Sequence, residues 1–254
     1  MSKNITVIIH TYNEAEKIAA CIESALLLTS NIVIIDMESQ DDTVKIARKY
    51  KAETYSFPFA YYVEPAREFG IHQAKTDWVM IVDADERITQ PLAQEIASKI
   101  KEDNSSHYFI LRKNIFGQKQ WLKHGGWWPD SQIRLINKKF FQSWPKNIHS
   151  SPLIKGPSEV LTEPLFHYFH GDFKKMVDKT VIFEDIESEL LFKAKKNSNT
   201  LTFFRKFLGE LYRRLIYKKG FQDGYIGIIE SIYQAFSKTI TYLYLYEKKN
   251  RRAL

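Results

Sequence analysis

The densest chemistry in this sequence lies in residues 78–86, where an apolar run from Trp78 to Val82 ends in Asp83-Ala84-Asp85-Glu86. Three carboxylates within four residues at the exit of a buried strand repel one another and resist burial. A divalent cation among them relieves both costs, and hard oxygen ligands suit Mn2+ or Mg2+. A metal held by one or two carboxylates, with water still attached, is a device for gripping a diphosphate. The competing reading is a solvated acidic turn that caps the next helix. Just upstream, Pro65-Ala66-Arg67-Glu68-Phe69 adds a guanidinium that suits the diphosphate or, alternatively, a surface ion pair with Glu64 or Glu68.

Such carboxylates need rigid elements behind them. Three short apolar runs, Ile5–Ile9, Ile32–Ile35 and Val79–Val82, are rich in β-branched residues and lack polar alternation, as parallel strands covered on both faces do. Helical patterns lie between them at Glu14–Leu28, with Asn13 as N-cap, at Asp42–Tyr50 and at Ala66–Ala74. Pro91–Lys101 follows, with proline in its first turn. This alternation predicts an α/β chain with a doubly wound, mostly parallel sheet and helices on both faces. Ligands of such sheets bind at the carboxyl ends of the strands. All three strands carry polar residues there: His10-Thr11-Tyr12-Asn13-Glu14, then Asp36, then Asp83, Asp85 and Glu86. Asp36 suits a nucleobase N–H or a ribose hydroxyl, while Asp41 or Asp42 caps the following helix. Neither a glycine-rich dinucleotide fingerprint nor a P-loop is present.

These residues resemble family 2 glycosyltransferases of the GT-A fold. The resemblance is carried by Val7-Ile8-Ile9-His10-Thr11-Tyr12-Asn13-Glu14, by Ile34-Ile35-Asp36 with Ser39-Gln40-Asp41-Asp42-Thr43, by Ala66-Arg67-Glu68-Phe69-Gly70 and by Val82-Asp83-Ala84-Asp85-Glu86. Trp128-Pro129-Asp130-Ser131-Gln132-Ile133-Arg134-Leu135 and Ile148-His149 extend it, and resemble the branch that adds glucose to the lipopolysaccharide inner core. The resemblance implies a UDP-sugar donor with Thr11, Tyr12, Glu14 and Asp36 around uridine and Arg67 near the diphosphate. It places Asp83 and Asp85 at ribose and metal, and it implies inversion at the anomeric carbon. The second motif here, Met37-Glu38-Ser39-Gln40-Asp41, lacks the glycine the family often carries.

Glycosyl transfer needs a neutralised leaving diphosphate and a deprotonated acceptor hydroxyl. Asp130 is the candidate base, because it follows Pro129 in a loop holding Trp127 and Trp128. Aromatic faces suit sugar rings, and desolvation beside them favours proton uptake; the alternative is a surface loop carboxylate. Arg134 either binds phosphate or pairs with a structural carboxylate. His149 either joins the metal site or is a loop residue satisfied by backbone contacts. His167 and His170 read as structural, and His10 as part of the turn after the first strand.

The 254 residues, 44% apolar and 14% aromatic, suffice for a sizeable core. One cysteine, Cys21, in a helical pattern, builds neither a disulfide framework nor a zinc site. The sequence begins without an apolar signal segment, which predicts a cytoplasmic location. The expected organisation is a catalytic domain over 1–172, its nucleotide-sugar half at 1–100 and its acceptor half at 101–172, and a helical basic extension over 173–254. Residues 1–100 hold 10 Lys/Arg against 15 Asp/Glu, whereas 193–254 hold 14 against 4. That extension therefore meets something anionic. Its apolar positions recur at helical spacing beside Arg205, Lys206, Arg213, Arg214, Lys218 and Lys219. Glu230, Gln234 and Lys238 interrupt the second run, so it falls short of the ~18 apolar residues that span a bilayer. These features predict peripheral attachment to an anionic membrane surface, the inner face of the cytoplasmic membrane, with a lipid-linked saccharide as acceptor. Two packed helices with a solvated basic face are the alternative. A polyprenyl phosphate or protein acceptor is a second enzyme reading. A nucleic-acid-binding role is disfavoured, since no recognised motif accompanies the charge.

Overall fold

The computed structural model describes residues 4–102, 104–117, 119–169 and 173–251, the side chains of 173–175 and 251 excepted, so His170 lies outside the described residues. Two compact units emerge: residues 1–113 with 130–168, and residues 114–129 with 169–254.

In chain order the first unit runs β1 (Ile5–Thr11), α1 (Ile18–Ala25), β2 (Ile32–Asp36), α2 (Thr43–Lys49), β3 (Glu53–Ser56), α3 (Glu64–Gln73), β4 (Trp78–Asp83), β5 (Glu86–Arg87), α4 (Gln90–Glu102) and β6 (His107–Phe116). The chain continues through β7 (Gln120–Trp121), β8 (Ser131–Asn137), β9 (Phe141–Ser143), β10 (Leu153–Ile154), β11 (Ser158–Val160) and β12 (Leu165–Phe169). The main sheet has the order β3-β2-β1-β4-β8-β6-β12-β5. Its first four strands are parallel, and β8 runs antiparallel to both β4 and β6.

Each central strand is buried on both faces because its successive side chains enter two different cores. On one face Val7, Ile9, Ile34, Met80 and Val82 meet Ile18 and Ile22 of α1 and Leu92 and Ile96 of α4. On the other, Ile8, Val33, Ile35, Val79 and Ile81 meet Ala66 and Ile71 of α3 together with Trp144. Cys21 is a buried member of the first core.

Several local expectations are corrected. The first helix begins at Ile18, and Asn13 does not cap it: its side chain accepts from the Gln40 amide at 2.7 Å. His10 is a residue of β1 and is buried. The edge strand β3 carries no sequence signal, because its four residues are exposed or half-buried and form no apolar run.

The second unit contains α5 (Phe173–Lys193), α6 (Thr200–Leu211), a π-helical turn at Tyr212–Tyr217, a 3-10 turn at Gly220–Asp223 and α7 (Gly224–Arg251). Among the described residues no helix is long and apolar enough to cross a membrane. The inner side of α7 mixes polar and apolar residues: Glu230, Ser231, Ser237, Thr239 and Thr241 are buried alongside Ile226, Ala235, Tyr242 and Leu245, while Tyr225, Ile229, Ile232, Phe236 and Leu243 are exposed. The buried hydroxyls are satisfied within the unit: Glu184 of α5 accepts from Ser237 and Thr241.

Candidate active site

The carboxyl ends of β1 and β2 lie side by side, with Thr11 opposite Asp36. Asp36 Oδ2 accepts from the Ser39 amide at 3.0 Å. Asp36 Oδ1 and Thr11 Oγ1 are buried and have no hydrogen-bond partner among the described residues. Two unsatisfied oxygens on adjacent strand ends are costly unless a ligand engages them. The loops after these strands are stitched together. The Asn13 amide donates to Ser39 Oγ at 2.8 Å, the Glu14 amide to Thr43 Oγ1 at 2.8 Å and the Ala15 amide to Asp41 Oδ2 at 3.1 Å. The Glu14 side chain pairs with Lys17 at 3.1 Å. Glu38 takes a left-handed φ of 63°, the backbone shape that glycine adopts without strain. Tyr12 stacks on Phe59 at 4.5 Å, and Phe59 meets Tyr61 at 5.1 Å.

At the end of β4 the acidic cluster is already neutralised by arginines. Asp83 Oδ1 accepts from Arg67 at 2.7 Å and Oδ2 from Arg134 at 2.7 Å. Glu86, fully buried, accepts the Asp83 amide at 2.9 Å and pairs with Arg134 and, at 3.2 Å, with Arg112. Arg112 Nε then donates to Asp130 at 2.9 Å. The guanidiniums of Arg67, Arg134 and Arg112 thus relieve the repulsion expected at Asp83 and Glu86. Arg67 is no surface residue: it is buried on the inner side of α3, and the surface pairing with Glu64 or Glu68 is not formed. Arg134 likewise pairs with carboxylates, and its Nε is buried without a partner among the described residues. Burial by itself raises the Asp83 pKa, but Arg134 and Arg67 outweigh it and hold this carboxyl well below the usual range. The same attraction outweighs burial at Arg134 and raises its pKa.

His10 supports this arrangement from below. Its Nδ1 lies 3.2 Å from Arg67 and its Nε2 3.3 Å from the Ala66 carbonyl. Burial, followed by the Arg67 charge, lowers its pKa well below the ordinary value. A neutral ring protonated at Nε2 satisfies both contacts, donating to the carbonyl and accepting from the guanidinium. The fit depends on Gly70, where an added Cβ would lie 2.9 Å from His10 Nε2.

Asp85 is the carboxylate of the cluster that no arginine holds. Its Oδ2 lies 3.6 Å from His167 Nε2, on β12, which pairs with β5 so that His167 sits opposite Glu86. Burial raises the Asp85 pKa, and His167 more than offsets this, leaving the carboxyl below its ordinary value. Arg87 clamps the turn by donating to the Ala84 carbonyl at 2.8 Å and the Glu86 carbonyl at 2.7 Å. His149 is exposed and donates its backbone amide to Glu64 at 2.7 Å. Among the described residues no three His, Cys, Asp or Glu side chains form a ready metal cage, so Asp83, Asp85 and His149 are not gathered into one. Asp130 is held by Arg112 and, through Oδ1, by Gln132 at 3.0 Å. Trp127 and Trp128 belong to the other unit, where Trp127 packs on Phe169 and Trp128 on Trp121. The sequence reading passes over Arg112 and Arg87 and gives His167 only a structural role; Arg87 directly follows Glu86, but the other two carry no local signal.

The family model for Glycosyl transferase family 2 matches residues 6–155. The chain belongs to this family. As a whole, this glycosyltransferase is 26% identical over 250 residues to an uncharacterized glycosyltransferase of Rickettsia conorii, covering 94% of this chain and 88% of that one. A cholesterol galactosyltransferase of Borreliella burgdorferi is 30% identical over 109 residues, 40% of this chain and 30% of that one. Among solved structures, S. aureus TarS 1–349 in complex with UDP-GlcNAc superposes with a TM-score of 0.51 at 14% identity, over 98% of this chain and 92% of that one. The glycosyltransferase therefore has a GT-A fold with a helical C-terminal region.

Proposed function

We propose that this glycosyltransferase moves a sugar, glucose in the narrowest reading, from a UDP-sugar to a lipid-linked saccharide such as the lipopolysaccharide inner core, with inversion. The observation that carries the donor reading is the pair of buried, unpartnered oxygens on Thr11 and Asp36. Such oxygens suit a ligand able to donate from a nucleobase and a ribose. Tyr12, backed by Phe59, offers a ring face to the base, and Glu14 completes the loop around it.

Asp83, fixed by two arginines, presents little free valence to a cation and suits a ribose hydroxyl. Asp85 and His167 fit a cation better than Asp83 and His149 do. At 3.6 Å apart they are close enough for a small shift to bring both onto one ion. Bound there, Mn2+ or Mg2+ supplies positive charge to the leaving diphosphate. Arg67 and Arg134 supply further positive charge from behind Asp83. Asp130 takes the proton of the acceptor hydroxyl as its oxygen bonds to the anomeric carbon. The bond from that carbon to the diphosphate oxygen breaks, and UDP leaves with its electron pair. Arg112 orients the Asp130 carboxylate for this task.

The acceptor reading draws on the basic helical unit and on the resemblance to the inner-core branch. The partial likeness to a sterol-modifying galactosyltransferase agrees with a lipidic acceptor. We place the protein at the inner face of the cytoplasmic membrane on the same grounds. The organisation into a catalytic region up to residue 172 and a helical extension beyond it belongs to this proposal. A donor screen tests it: incubation with Mn2+ and each UDP-, GDP- and TDP-sugar, measuring nucleotide release. Release from UDP-glucose is expected, and release from GDP- or TDP-sugars alone would overturn the donor assignment.

A further inference from the structure

One face of α6 is left uncovered among the described residues. Leu201, Phe204, Leu208 and Tyr212 are 77%, 54%, 58% and 62% exposed. Their spacing of three, four and four residues aligns them along a single helical stripe. The helix is well formed, since Asn199 caps it by accepting from the Thr202 amide at 2.8 Å. In the turns that follow, Tyr217, Phe221 and Tyr225 are 70%, 48% and 72% exposed. Burying this stripe in a packed core would be the ordinary outcome for a soluble helix; here the chain leaves it outside.

The charges beside the stripe decide what covers it. Residues 200–219 carry six Lys/Arg and one acid, Glu210. Glu210 is already occupied by Arg213 at 2.6 Å and Arg214 at 2.6 Å. Arg205, Lys218 and Lys219 are exposed. A self-complementary contact between two copies would bring these cations against their own images. Nucleic acid would match the charge but leave the apolar stripe wet. An anionic bilayer matches both, taking the apolar side chains and tyrosine rings at the acyl boundary and the cations at the headgroups.

We propose that α6 and the aromatic turns after it are the surface on which this protein rests on anionic lipid, lying in the interface without crossing it. The inference rests on the lipid-linked acceptor of the proposed function for its purpose, and it names the side chains that bring the enzyme to that acceptor.

The test is co-sedimentation of the full chain, without nucleotide, with vesicles of phosphatidylcholine and of phosphatidylcholine containing a quarter phosphatidylglycerol. Arg213 and Arg214 are poor probes, because both hold Glu210 and Arg214 also donates to the Gly125 carbonyl at 3.1 Å. Arg205→Glu with Lys218→Glu is the charge variant. At ~1 kcal/mol per basic residue, losing two weakens binding to anionic vesicles about 30-fold, and reversal adds to that. Phe204→Ser with Leu208→Ser, both at exposed positions, is the apolar variant and should lose about 100-fold. Circular dichroism and UDP calorimetry on each variant should match wild type, which separates failure here from failure of the donor reading. The inference is overturned if wild type ignores anionic vesicles, or if both variants bind them as wild type does. It is equally overturned if wild type is a dimer that the Phe204→Ser, Leu208→Ser variant dissolves, since a second copy then covers the stripe.

Discussion

Glu230 sits in α7 with no exposed surface, and its Oε1 has no hydrogen-bond partner among the described residues. The Gln234 amide reaches its other oxygen at 3.5 Å, and the Arg214 charge acts on it more weakly. Burial dominates both, and pushes the pKa from 4.5 up to about 7. A carboxyl with a raised folded pKa binds more protons when folded than when unfolded. Stability is therefore full below the unfolded pKa and falls as pH rises from about 4.5 to about 7. At 1.36 kcal/mol per unit, that interval costs about 3 kcal/mol once the group is ionised. Glu230→Gln keeps the shape and removes the charge. The variant should match wild type near pH 4 and exceed it by up to about 3 kcal/mol at pH 8. Urea unfolding at each pH supplies the comparison. Hydrogen exchange across α5 and α7 assigns the change to the second unit, because two units need not unfold together. If wild type and Glu230→Gln show the same pH slope, the charge is solvated by groups that burial does not reveal, and the reasoning fails.

Asp85→Ala and His167→Ala should each weaken Mn2+-dependent UDP binding and abolish or severely reduce transfer, while His149→Ala leaves both near wild type; calorimetry with and without Mn2+ checks all three. Asp130→Asn should spare UDP-sugar binding and lower turnover by roughly 10² to 10⁴, the usual contribution of a positioned acid–base group, and a near-normal turnover would remove Asp130 from that role. Gly70→Ala should destabilise the first unit by about 1–3 kcal/mol, because the new methyl meets His10 at 2.9 Å and Ile8 and Ile35 at 3.0 Å inside a packed layer; thermal unfolding measures it. Glu38→Gly should change stability little or raise it, since relief of a left-handed φ of 63° is set against loss of the contact from the Phe59 amide to Glu38 at 3.3 Å.

What the sequence made legible follows from burial. The runs Ile5–Ile9, Ile32–Ile35 and Val79–Val82 are apolar but for Thr6 because two cores flank the sheet, so they announce themselves without any partner being known. The rule that ligands sit at the carboxyl ends of parallel strands then singles out Thr11, Asp36 and Asp83. β3 escaped because an edge strand has no second core to fill, and β12 because only its end residues Leu165 and Phe169 are buried, in a segment rich in aromatics and histidines. The partners of the acidic cluster escaped for a different reason. Arg112 is a mid-strand residue of β6 and His167 a residue of β12, and nothing near either one in sequence shows that sheet pairing carries them to Asp130, Glu86 and Asp85. For α7 the apolar spacing was visible, but not which apolar residues face inward: packing buries Ser237, Thr239 and Thr241 beside Ala235, Tyr242 and Leu245 and leaves Tyr225, Ile232 and Phe236 outside.

The corrected chemistry of the acidic cluster changes what the site asks of its ligands. Asp83, Glu86 and Asp130 are matched by Arg67, Arg134 and Arg112, three charges of each sign joined by contacts of 2.7 to 3.2 Å where ordinary hydrogen-bond lengths are observed. A largely buried set balanced in this way carries its own counter-charge, whereas removing one member leaves another charge unmatched. Asp83 and Asp130 are consequently fixed in place before substrate arrives, which is the condition under which polar groups stabilise developing charge without reorganising. Asp85 alone is left with a histidine for a partner. A divalent ion therefore has one acidic side chain to recruit, and the diphosphate must complete its shell. Metal and nucleotide should then bind cooperatively, each weakly without the other.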